Sequence, residues 1–176
     1  MHIVTDGLIL RNWEEDDAER LAAIANNRKI ADNLNDGFPH PYSIEDAKQF
    51  ISRSRREDSS YLHLAVEING IVAGSIGAYF KENGHRKNAE LGYYLAEEYW
   101  GKGIMVKAIR CMIQHIFENY DVIRIYALPF ARNTASRRVL EKAGFRCEAI
   151  LKSSIIKNNV VQDDCIYAIL KEEFET

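Results

Sequence analysis

The stretch Glu97 to Ala108, EEYWGKGIMVKA, sets two glycines around a lysine just before an amphipathic run. A helix that begins right after a strand presents unpaired backbone N–H groups and the positive end of its dipole. Together these bind anions, phosphate above all. Glycine at 101 and 103 would let the backbone approach a phosphate oxygen or turn with positive φ, and Lys102 adds a charge. Two familiar phosphate motifs do not fit. A dinucleotide fingerprint needs a third glycine where Val106 stands, and a P-loop needs Ser or Thr where Gly103 stands. A tight strand-to-helix turn that needs glycine only for its geometry accounts for the same residues. Further on, Ala131 to Phe145, ARNTASRRVLEKAGF, opens a second helix after a strand. Asn133 can cap that helix or offer its amide to a cleft, and Ser136, one turn in, presents a hydroxyl on the neighbouring face.

Positioning these groups requires a particular order of elements. Gly7 to Trp13 reads as a first strand, and the acidic start and Leu21/Ile24 spacing of Glu14 to Asn27 as a helix. Asn33 to Ser43 is a loop rich in Asn, Gly and Pro, and Ser43 with Asp46 three residues on begins a helix reaching about Arg55. Tyr61 to Ile68 and Ile71 to Phe80 form a hairpin across Asn69-Gly70, a pair suited to a type I′ turn. Ala89 to Ala96 is a strand, Gly103 to Asn119 a helix and Val122 to Pro129 a strand. The helix containing Ser136 ends at Gly144 in a left-handed cap, and two final strands, near Cys147 to Lys157 and Val160 to Leu170, pair across Asn158-Asn159. Three consecutive strands argue for an antiparallel sheet, and the strand–helix–strand from Ala89 to Leu128 for one parallel crossover. Two adjacent parallel strands that splay at their ends would open a cleft beside the Gly103 helix.

Composition bounds the function. The chain has 176 residues, 47% hydrophobic and 28% charged, enough for the core of one globular domain. A net charge of −3 does not suggest a nucleic-acid surface. Cys111, Cys147 and Cys165 are widely spaced and odd in number, which argues against a disulfide framework or a zinc site and fits a reducing cytoplasm. The first residues lack a basic segment followed by a long apolar run, and no stretch approaches the roughly 18 apolar residues of a membrane span.

LGYYLAEEYWGKGIM, followed some thirty residues on by NTASRRVLEKAGF, resembles the GNAT superfamily of acetyl-CoA-dependent N-acetyltransferases. Ser136, VLEKAGF and GKGIM resemble the branch of ribosomal-protein N-terminal acetyltransferases of the RimJ/RimL type. The resemblance spans Gly7 to about Leu170. It implies an α/β fold in a single N-acetyltransferase domain over residues 1–176. The sheet would be mixed, mostly antiparallel and seven-stranded, splayed between two parallel central strands and flanked by about four helices.

By this resemblance the pyrophosphate of acetyl-CoA sits on Trp100-Gly101-Lys102-Gly103-Ile104-Met105, whose usual pattern is Gln/Arg-x-x-Gly-x-Gly/Ala. Gly103 matches; Trp100 and Met105 depart, as they do in the RimJ/RimL-like branch. The backbone of Tyr93 to Ala96 would pair with the pantetheine arm, and the N–H near Leu95 would meet the thioester oxygen. Asn133 and Ser136 would touch the pantetheine and thiol region. The tyrosine that serves many members as acid is replaced by Leu140, which leaves Ser136 as the substitute. Glu90 is our candidate base, directly or through water. Strand alternation puts it on one face with Gly92 and Tyr94, and an apolar cleft wall would raise its pKa. His85 and His115 are weaker candidates. Phe38, His40 and Tyr42, with Tyr94, would line the acceptor entrance. The implied reaction is acetyl transfer to a peptide α-amine, a polyamine or another small amine, with no metal, by a monomer or homodimer. A CoA-binding sensor or partner domain without transferase activity is the alternative that the missing tyrosine favours.

Overall fold

The computed structural model describes residues 2–5, 7–56 and 58–174. In chain order its strands are β1 (His2–Thr5), β2 (Leu8–Arg11), β3 (Tyr61–Ile68), β4 (Ile71–Phe80), β5 (Asn88–Leu95), β6 (Arg124–Ala127), β7 (Arg146–Lys157) and β8 (Val160–Leu170). Its helices are α1 (Ala18–Ala25), α2 (Arg28–Ala31), α3 (Ile44–Ser54), α4 (Ile104–Asn119), α5 (Thr134–Ala143) and α6 (Lys171–Phe174). All strands join one sheet in the order β1-β2-β3-β4-β5-β6-β8-β7, parallel only between β5 and β6.

The described sheet has eight strands where seven were expected. The addition is β1, an edge strand of four residues alternating between exposed and half-buried. It is too short to display a period and is held by its ladder to β2, Thr5 facing Leu8. Six described α-helices replace the expected four or so, because α2 and α6 are single turns. The helix expected over Glu14 to Asn27 is divided. Glu15–Asp17 form a 3-10 turn closed by a capping box, and Asn27 caps α2 by accepting from the Lys29 N–H.

The other elements form for local reasons. Ser43 and Asp46 make the reciprocal capping box that starts α3. Asn69 and Gly70 both take positive φ, 50° and 77°, as the β3–β4 hairpin requires. Gly144, at φ 107°, ends α5. Alternation along the strands then builds two cores. Leu64, Val66, Ile76, Leu91 and Leu95 meet Met105, Ile109, Met112 and Ile113 of α4 and Leu140 of α5 on one side. On the other, Ala65 and Val72 pack with Trp13, Leu21, Ile24 and Ile51 beneath α1 and α3.

Candidate active site

The pairing of β5 with β6 stops early. The ladder runs Asn88–Arg124, Ala89–Ile125, Glu90–Tyr126 and ends, while β5 continues to Leu95 against β4 alone. The two strands part there, and a cleft of about 920 Å³ opens between them and continues onto the start of α4. Hydrogen-bond parity fixes which groups face the gap. Lys81 N–H donates to the Asn88 carbonyl and Ala96 N–H to the Ala73 carbonyl, so even-numbered residues of β5 turn their backbone groups to β4. The odd-numbered ones, Tyr93 and Leu95 among them, therefore turn theirs into the gap. The Leu95 carbonyl is taken by the Trp100 indole N–H at 2.7 Å.

At the end of the gap the chain makes two left-handed turns, φ 75° at both Gly101 and Gly103. A Cβ at either would meet nothing within 4 Å, so glycine is needed there for its φ and not for space. No side chain caps α4, and the first bond back to its N-cap runs from Lys107 N–H to the Gly103 carbonyl. The N–H groups of Ile104, Met105 and Val106 thus stand without helical acceptors at the positive end of a 16-residue helix. The Met105 side chain is buried in the core, so the residue that breaks the motif packs inward and leaves its N–H free. Lys102 stands off this surface over the Tyr99 ring, 5.6 Å from its centroid, and Ala96 is buried.

Across the gap, Asn133 accepts from Ser136 N–H at 3.2 Å and so caps α5, and both line the cleft. The Ser136 hydroxyl lies 2.8 Å from the Tyr93 hydroxyl. Burial pushes the Tyr93 phenol well above its ordinary pKa, which keeps it a neutral donor. Leu140 is fully buried in the core. The sequence marked Tyr93 for its backbone alone; the pairing of its hydroxyl with a residue 43 positions away carries no local signal.

On the opposite face of β5, Glu90 is half-buried and ion-paired with Lys81 at 2.6 Å, and the Tyr126 hydroxyl donates to the same carboxylate at 3.2 Å. An ion pair therefore stands where an apolar wall was expected. Phe38 meets Tyr94 edge to face at 5.4 Å and Tyr42 at 5.1 Å, and all three line the cleft. His40 is exposed and lies outside the lining. His115 packs against Tyr120 on α4 and His85 is exposed in a turn, neither in the lining. His63, which the sequence reading passed over, does line it.

An open β5 edge running into an uncapped, glycine-led helix defines a site for a long ligand ending in phosphates. Residues 7–146 match the family described as an acetyltransferase (GNAT) domain. The chain belongs to that family and is an acetyl-CoA-dependent N-acetyltransferase. It is similar to the putative ribosomal N-acetyltransferase YdaF of Bacillus subtilis (strain 168), 30% identical over 177 residues that cover 98% of this chain and 96% of that protein. Among solved structures it is similar to Mycobacterium smegmatis RimJ in complex with CoA-disulfide, with TM-score 0.87 and 26% identity over 96% of this chain and 84% of that one. It is also similar to the microcin C7 self-immunity acetyltransferase MccE in complex with acetyl-CoA and AMP, with TM-score 0.82 and 26% identity over 94% and 93% of the two chains. These likenesses set it in the RimJ/RimL-like branch. No described helix is long and apolar enough to cross a membrane.

Proposed function

We propose that the chain, as one cytoplasmic N-acetyltransferase domain over residues 1–176, moves the acetyl group of acetyl-CoA to a primary amine by direct attack in a ternary complex. The observation that carries this reading is the continuous path from the α4 amides along the free edge of β5 to the Tyr93–Ser136 pair. Laid along it, the donor meets the N–H groups of Gly103 to Met105 at its pyrophosphate and the edge of β5 along its arm. Asn133 and Ser136 then stand beside the sulfur.

The amine nitrogen attacks the thioester carbon, and the oxygen takes up charge before the C–S bond breaks. A backbone N–H aimed at that oxygen stabilises it most while the charge exists. At about 3.3 Å per residue, the Tyr93 N–H lies about 10 Å along the strand from Glu90 and the Leu95 N–H about 16 Å. Tyr93 is thus the better-placed oxyanion donor if Glu90 accepts the amine proton through a water, with Leu95 N–H holding the arm. Ser136 gives its proton to the departing thiolate and is reprotonated from solvent as CoA leaves, while the Tyr93 phenol, kept neutral by burial, holds the serine hydroxyl by a hydrogen bond. The amine enters over Phe38 and Tyr94.

With an accepted amine, Glu90→Gln is expected to lower kcat roughly 100-fold, and Tyr93→Phe and Ser136→Ala each roughly tenfold. CoA affinity by calorimetry should change little. Full kcat in Glu90→Gln would remove that carboxylate from the proton path.

A further inference from the structure

The acceptor side of the cleft holds a side chain that the reaction above leaves unused. His63 on β3 faces Gly77 on β4, which faces Gly92 on β5. The three make one row across the sheet, on the face that carries Glu90 and Tyr94. Gly92 is the first residue of that face beyond the last β5–β6 pair, Glu90–Tyr126. Two positions without side chains therefore separate the His63 backbone from the gap, about 10 Å at about 4.8 Å per strand.

The ring lies along this bare track. A Cβ on Gly77 would meet His63 Cδ2 at 2.5 Å and Nε2 at 3.2 Å, so the Cδ2–Nε2 edge leans over Gly77 toward β5. At Gly92 a Cβ would meet only the Tyr79 ring, at 4.0 Å, and room remains. The imidazole is clamped between Phe50, stacked at 5.4 Å, and Tyr61, stacked at 4.8 Å, with Tyr79 edge-on at 5.0 Å. Nδ1 lies 3.2 Å from the Ser54 hydroxyl on α3. Nε2 is buried and has no partner among the described residues. Buried polar atoms are nearly always paired, so this nitrogen, near the open position at Gly92, calls for a partner that the described residues do not supply. Burial and the Arg53 cation push the imidazole down to about 4, which keeps it neutral. With Nδ1–H donating to Ser54, the Nε2 lone pair is left without a donor among the described residues.

We propose that His63 Nε2 accepts a hydrogen bond from the acceptor amine and holds it over Gly92, and that this amine is borne on a compact aryl or alkyl body, not on a polycation. The inference rests on the reading of the site as an acetyl-transfer cleft. A neutral primary amine has two N–H groups and one lone pair. One N–H on Nε2 and the other turned toward Glu90 leave the lone pair for the thioester carbon. The proton released on attack leaves by the Glu90 side, and His63 keeps its hydrogen-bonding role throughout. The walls beside the track are Phe38, Phe50, Tyr79 and Tyr94, with Arg53 at the rim. The cleft's Glu90 carboxylate is already paired with Lys81, which leaves it poorly suited to hold the remote ammonium groups of a polyamine.

The test compares 2-phenylethylamine with spermidine, at saturating acetyl-CoA, in the wild type, His63→Phe, His63→Gln and Gly77→Ala. His63→Phe keeps the aromatic stack and removes both nitrogens. Its KM for 2-phenylethylamine should rise at least tenfold, while acetyl-CoA binding by calorimetry stays within twofold. His63→Gln should recover part of the loss, and Gly77→Ala, whose new methyl displaces the ring, should resemble His63→Phe. The wild type should prefer 2-phenylethylamine at least tenfold in kcat/KM. An unchanged amine KM in an active His63→Phe enzyme, or in Gly77→Ala should His63→Phe not fold, overturns the role of His63. Preference for spermidine overturns the substrate class. A wild type that binds acetyl-CoA and acetylates no amine overturns the transfer reading itself, and this inference with it.

Discussion

Trp100 stands where the family resemblance expects Gln or Arg, and its indole does a different job. By donating to the Leu95 carbonyl it ties the glycine loop to the end of β5. Trp100→Phe keeps the ring and removes that N–H. Loss of one such bond is worth about 1 kcal/mol, so the KM for acetyl-CoA should rise roughly fivefold while kcat holds. An unchanged KM would mean that the bond does not set the loop. At this scale the sequence was legible where a residue's own backbone acts, as at Gly101 and Gly103, whose positive φ follows from having no Cβ. It was not legible where two distant side chains meet. Nothing local to Tyr93 points to Ser136, nor does anything near His63 point to Gly77.

In the proposed site helix α4 acts through its first turn, which its glycine-led start leaves without a side-chain cap. In Gly103→Ala the added methyl meets no neighbour, so the cost is that of a left-handed residue with a Cβ, about 1–2 kcal/mol. Urea unfolding should show that loss with an unchanged slope, together with weaker acetyl-CoA binding. Strand β3 and helix α3 sequester His63, with Arg53 and Ser54 on α3, Tyr61 on β3 and Tyr79 on β4 around it. Its pKa falls from 6.5 in the unfolded chain to about 4 in the folded one. Below pH 6.5 the unfolded chain therefore takes up the proton while the folded one does not. This contribution to stability is fully present above pH 6.5 and is lost as pH falls toward 4, by about 3 kcal/mol at most. His63→Phe should flatten that part of the pH–stability curve measured by urea unfolding, and an equally steep curve would place the acid sensitivity elsewhere. Hairpin β3–β4 and helix α4 could be read almost to the residue, because the hydrophobic period agrees with the Asn69-Gly70 turn in the first and with the glycine-led start in the second. The broken first helix could not, because it depends on Asp17 binding Arg11 at 2.8 Å across the turn.

Taken whole, the molecule is a sheet opened in the middle, and the proposed reaction sets the acetyl donor on one side of the opening and the acceptor on the other. The order of strands and helices foretold the opening, since a single parallel pair inside an antiparallel sheet is where two strands can part. The extra edge strand β1 was invisible because pairing, not pattern, holds it. How Lys81 comes to hold Glu90 was equally hidden, since it depends on the register of β4 against β5. The same architecture predicts the kinetic order: both substrates must be present in one cleft before any bond changes. Initial rates of CoA release, with acetyl-CoA and an accepted amine varied together, test this most directly. The account predicts release that depends on the amine, equals the N-acetylated product mole for mole, and gives intersecting double-reciprocal lines. Acetyl-CoA that binds tightly yet releases no CoA with any amine, or parallel lines from an acetylated enzyme, would contradict it.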